Sequence, residues 1–116
     1  MEVKRVVANI AVDRTEDARR FYCDVLGLEI AMDLGWYMTL SSGADAPVQI
    51  GFATEGGSGT EVPDLSIEVD DVDMAYRRMR AAGFEIVYSL TDEPWGVRRF
   101  YARDPCGKLI NILSHR

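Results

Sequence analysis

Ile10-Ala11-Val12-Asp13 is matched 57 positions later by Ile67-Glu68-Val69-Asp70, and the same offset carries Ala18 onto Ala75. Gly27 lies 56 positions before Gly83, so one residue is lost between the repeats in the segment that leads to these glycines. Self-similarity at a fixed spacing means one supersecondary unit used twice. The hydrophobic period says which unit it is. In the first repeat Val6, Ala8, Ile10 and Val12 alternate with Val7, Asn9 and Ala11, the period of a strand. Thr15 is then placed to cap a helix, Glu16 and Asp17 suit its first turn, Ala18, Phe21, Tyr22, Val25 and Leu26 form one stripe, and Gly27 ends it. Three strands follow over 28–33, 36–41 and 48–53, separated by Leu34-Gly35 and by Ser42-Gly43-Ala44-Asp45-Ala46-Pro47.

Glu55-Gly56-Gly57-Ser58-Gly59 has no apolar period and marks residues 54–63 as a flexible connection. Beyond it the pattern restarts. Leu65, Ile67 and Val69 alternate with Ser66 and Glu68, Asp71 is placed to cap a helix striped by Val72, Ala75, Tyr76, Met79 and Ala82, and Gly83 terminates it. Strands are expected over 84–89, 97–103 and 108–113, the last two joined at Asp104-Pro105-Cys106-Gly107. Asn111 stands among four aliphatic residues with its side chain opposite to Ile110 and Ile112, so its face looks into a cavity or into water. The fold class is α+β, two tandem βαβββ modules at about 1–55 and 62–116 within one 116-residue domain. The competing reading is a ferredoxin-like domain whose halves match by chance.

A formal charge of -6 argues against nucleic acid and anionic membranes and leaves room for a cationic small molecule. No apolar run is long enough to span a bilayer, and Met1-Glu2-Val3-Lys4-Arg5 does not open a signal peptide, so a cytoplasmic protein is expected. Cys23 and Cys106 have no CxxC-type partner, which points neither to zinc nor to a disulfide framework; Cys106, in a turn, is an exposed thiol or simply a tolerated turn residue. The one histidine, His115, cannot build a His-rich transition-metal site, and a Ser-His triad has no internal imidazole. Asp64, Glu68, Asp70 and Asp71 are the densest acidic group and could hold Mg²⁺ or Ca²⁺, but Asp71 is better explained as a cap.

With Phe21-Tyr22-Cys23-Asp24-Val25-Leu26-Gly27-Leu28 after the first strand and Asp104 to Ile112 at the end, the sequence resembles the vicinal oxygen chelate superfamily of glyoxalases, bleomycin-resistance proteins and extradiol dioxygenases. The resemblance implies a U-shaped mixed sheet around a cup, with ligands for a divalent metal on the first and last strands of each half. Those positions fall at Val7, Gln49, Asp64 and Asn111, where metal-dependent members carry His or Glu, so the resemblance implies no metal and no cofactor here. Glu93-Pro94-Trp95-Gly96, followed by Arg103-Asp104-Pro105, resembles the cleft-lining segment of the bleomycin-resistance branch.

The expected function is therefore metal-independent binding or sequestration of a small, flat, cationic or amphipathic molecule by a homodimer. The ligand-binding residues are Val7, Gln49, Asp64, Glu68, Trp95 and Asn111, with Trp95 as stacking surface and Asp64 and Glu68 as acidic wall. Trp95 buried as core is the plainer reading. The alternative function is a lyase, isomerase or dioxygenase-type enzyme with an atypical or absent metal site, in which Asp64, Glu68, Tyr88 or Tyr101 does the proton transfer. Arg98 and Arg99 count against a pocket that seeks only cations.

Overall fold

Leu65, Ile67 and Val69 do project to one side of their strand, where they meet the helix that follows. The structure is a computed structural model that describes residues 1–43 and 49–116, Phe21 by its backbone alone. The expected turn residues 44–47 and the expected first strand residue Val48 lie outside the described residues. The strands are β1 (Val3–Ala11), β2 (Glu29–Asp33), β3 (Tyr37–Ser41), β4 (Gln49–Ala53), β5 (Leu65–Val69), β6 (Ile86–Asp92), β7 (Val97–Arg103) and β8 (Leu109–His115); the helices are α1 (Thr15–Arg19), running on as a π-helix over Arg20–Val25, and α2 (Val72–Ala81). The order is βαβββ twice, as the repeat requires. The fold is mixed α+β.

Two compact units divide the chain, residues 7–62 and residues 63–116 together with 1–6. In the N-terminal unit the strand order is β2-β3-β4-β1, with β1 and β4 parallel and the other pairs antiparallel. In the C-terminal unit it is β5-β8-β7-β6, with β5 and β8 parallel. The helix carries the chain from the first strand to the far edge, and a meander brings the last strand back beside the first. A helix thus covers one sheet face and leaves the other for a site.

The C-terminal core is Val69, Val72, Ala75, Phe100, Ala102, Ile110 and Ile112, with Tyr76 edge-on to Phe100 at 5.0 Å. Burying a ring such as Phe100 contributes about 1.5–3 kcal/mol. Asp71 caps α2 as expected, accepting from Met74 N–H at 3.0 Å. Gly83, at φ 83, closes it with paired bonds from Gly83 N–H to Arg80 and from Phe84 N–H to Met79. That closure keeps Phe84 out of β6, which starts at Ile86 and not at the expected residue 84.

The N-terminal core gathers Ala18, Met38, Leu40 and Phe52, with Tyr22 against Phe52 at 4.9 Å. Thr15 does not cap α1: Arg14 is the capping position, without a side-chain bond, and its carbonyl accepts from Asp17 N–H. Val25 and Leu26 leave the expected stripe, being 76% and 61% exposed. The cause is the π-helical stretch, whose wider turns advance each residue by a smaller angle and rotate later residues away from the sheet. Its closing bonds, Gly27 N–H to Cys23 and Leu28 N–H to Tyr22, each span one residue more than those of α2. The residue by which the two repeats differ is absorbed there.

Residues 54–63 are not a flexible linker but a run of closed turns. Gly56 N–H bonds Thr60 O at 2.7 Å, Thr60 Oγ1 donates to Gly57 O at 2.7 Å, and Glu55 accepts from Gly59 N–H. Among the described residues no helix is long and apolar enough to cross a membrane.

Candidate functional site

On the C-terminal sheet, the face away from α2 carries Ser66 and Glu68 from β5, Asn111, Leu113 and His115 from β8, and Arg99 and Tyr101 from β7. Register fixes their neighbours, Ser66 beside Asn111 beside Tyr101, and Glu68 beside Leu113 beside Arg99. Arg98, one residue over, points the other way and ties β7 to α2 through Asp73 at 2.9 Å. That bond holds the Asp73 carboxyl below its ordinary value of 3.8 and raises the Arg98 guanidinium.

Arg99 is the centre of this face. Its guanidinium meets Glu93 Oε2 at 2.7 and 2.8 Å and donates to the Tyr101 hydroxyl at 3.0 Å, with both charged side chains 3% exposed. The rings of Trp95, Tyr101 and Tyr88 stand around it at 4.9, 4.9 and 5.3 Å. The Tyr88 hydroxyl also donates to Glu93 at 3.3 Å. Glu93 and Trp95 reach this place because Glu93 to Gly96 form the β6–β7 turn, closed by Glu93 N–H to Val97 O and by Gly96 at φ 92. Trp95 is half-buried, and the cation against its face is the protein's own Arg99. The alternation of Arg99 and Tyr101 carried a signal for this cluster, but its partner across the turn did not show in the sequence.

Asn111 is buried, donates through Nδ2 to Ser66 Oγ at 3.1 Å, and has no partner for Oδ1. Asp64, exposed ahead of β5, accepts from Leu109 N–H at 2.9 Å and so fastens the start of β8. Glu68 is bound on both oxygens, by Arg5 at 3.2 Å and by His115 Nδ1 at 2.8 Å. Both carboxylates expected as an acidic wall thus have partners within the chain. His115 is the last residue of β8 and lies on the same face as Asn111, which its odd-numbered position announces.

In the N-terminal unit Val7 is buried and Gln49 half-buried. Register pairs Asn9 with Gly51 as it pairs Ser66 with Asn111, and Ser66 is the repeat counterpart of Asn9. Gly51, two residues beyond Gln49 on the same face, is thus the counterpart of Asn111. Tyr37 crosses over it to donate to Asn9 Oδ1 at 2.9 Å, and a Cβ at Gly51 would strike both the Tyr37 hydroxyl and the Asn9 carboxamide.

The sequence profile of the Glyoxalase/Bleomycin resistance protein/Dioxygenase superfamily matches residues 4–112. The chain belongs to this superfamily. Among solved structures, a Legionella pneumophila protein named as an NAD-dependent benzaldehyde dehydrogenase superposes with TM-score 0.77 at 17% identity, over 97% of this chain and 100% of that one. A superfamily member from Vibrio splendidus 12B01 gives 0.62 at 20% identity over 97% and 99%. Methylmalonyl-CoA epimerase from Mycobacterium tuberculosis gives 0.62 at 21% identity over 95% and 86%. At these identities the likeness shows the fold. No curated protein matches the chain significantly.

The divalent metal that the superfamily's fold implies does not fit the residues present. One unit offers an aliphatic side chain and an amide, with a glycine at the register position, and the other offers a carboxylate held by a backbone N–H and an amide. Transition-metal sites draw on imidazole, thiolate and carboxylate, and the described residues contain no cluster of three such side chains. What the C-terminal face can do is stack, hydrogen-bond and exclude water.

Proposed function

We propose that this superfamily member is a metal-independent binding protein that sequesters a small, flat organic molecule, of antibiotic type in the bleomycin-resistance manner, on the α2-free face of its C-terminal unit. The observation that carries the reading is the chemistry at the metal positions, where amides, a glycine and a committed carboxylate stand in place of ligands. Trp95 and Tyr88, both half-buried, supply apolar area, with Arg99 locking their geometry. A two-fold homodimer is part of the proposal, since β2 is an edge strand exposed along its length, with Ile30 and Met32 uncovered; sedimentation reads it, and a monomer at all concentrations refutes it. The binding itself is tested by titrating planar aromatic compounds, neutral and cationic, while following tryptophan fluorescence. Saturable quenching that is lost in Trp95→Ala supports the proposal. A panel in which nothing binds, or in which Trp95→Ala keeps the wild-type affinity, contradicts it.

A second reading has one observation in its favour. The Glu68–His115 contact orients an imidazole that is 52% exposed, an arrangement suited to general acid–base work, and one solved neighbour is named an epimerase. Turnover abolished by His115→Gln would favour it over sequestration.

A further inference from the structure

We infer that the ligand of this face is an uncharged molecule carrying an N–H or O–H donor, and that Asn111 Oδ1 is the acceptor that recognises it. The inference rests on the sequestering reading and narrows it. Asn111 is 7% exposed, its Nδ2 is spent on Ser66, and its Oδ1 has no partner. A buried acceptor left unpaired is costly unless something arrives to satisfy it, so its retention in the middle of an aliphatic strand calls for a donor from outside. Charge decides the class of that donor. Each carboxylate on the face is already engaged, Glu93 by Arg99, Glu68 by Arg5 and His115, and Asp64 by Leu109 N–H. Both arginines here are likewise paired, and the one carboxylate without a cationic partner, Asp64, is exposed at the start of β5 and fastened to Leu109 N–H, so no buried carboxylate waits for a cation. An uncharged donor needs no counter-charge and would satisfy Asn111 Oδ1.

Three matched probes test this by calorimetry on the full chain: naphthol, which is flat, uncharged at neutral pH and donates an O–H; methoxynaphthalene, which has the same rings and no donor; and N-methylquinolinium, which is flat and cationic. Wild-type protein is expected to bind naphthol roughly three- to tenfold more tightly than methoxynaphthalene, and N-methylquinolinium least. Asn111→Leu should erase the preference for naphthol over methoxynaphthalene. With its orphan acceptor removed, the ligand-free variant should melt no lower than wild type. The comparison of probes on wild type stands even if the variant folds poorly. Equal affinity for naphthol and methoxynaphthalene, or tightest binding of the quinolinium, overturns the inference and leaves sequestration standing. Binding of none of the three overturns both.

Discussion

Arg99 is held by a carboxylate, a hydroxyl and three rings, and that environment sets what its removal does. Glu93 and Arg99 are both almost wholly out of water, where an ion pair gains little over an apolar pair but a single unpaired charge is expensive. Arg99→Met is expected to cost about 3–5 kcal/mol in denaturant unfolding, because it strands the Glu93 carboxylate. Glu93→Gln combined with Arg99→Met should recover most of that loss. A double variant as unstable as the two single losses added together would show that the pair is not coupled. At this scale the sequence spoke where chemistry is local. Asp104 bonds the N–H groups of Cys106 and Lys108 at 2.8 Å with Gly107 at φ 80, as Asp-Pro-Cys-Gly spells out. It was silent on Glu68, whose partners lie 47 residues ahead and at the other end of the chain, since no spacing rule links residues so far apart.

Between elements, the clearest electrostatic contact is α2 against β7. The Asp73 carboxyl is held below its ordinary value chiefly by its hydrogen bond from Arg98. A depressed folded-state pKa contributes stability that is present above the unfolded value and lost as pH falls through the folded one. Acidification below about pH 4 should therefore destabilise wild type more steeply than Asp73→Asn. The melting temperatures of the two proteins, measured from neutral pH downwards, should converge on the acid side; parallel curves would remove the contact from the account. Element identity was legible throughout, from Gly27 and Gly83 as stops to the exact bounds of β7, because period and turn chemistry act within a few residues. Val25 and Leu26 were misplaced for a definite reason: a stripe projected at the α-helical angle fails once the helix widens to a π turn. Likewise the glycines of residues 54–63 signalled freedom in the abstract, and two of them, Gly57 and Gly59, here supply positive φ values that closed turns need.

For the whole molecule, the superfamily was readable from the two motifs and the repeat between them. What could not be read was the fate of the groups that remained, above all that Asp64 and Glu68 serve the fold and that Asn111 keeps an acceptor unmet. The account therefore turns on binding that owes nothing to a metal. The affinity of the chain for naphthol, measured by calorimetry before and after exhaustive treatment with EDTA and dialysis, tests that directly. The same affinity on both sides of the treatment is predicted; binding lost on chelation and restored by one equivalent of zinc, nickel, iron or manganese would contradict it.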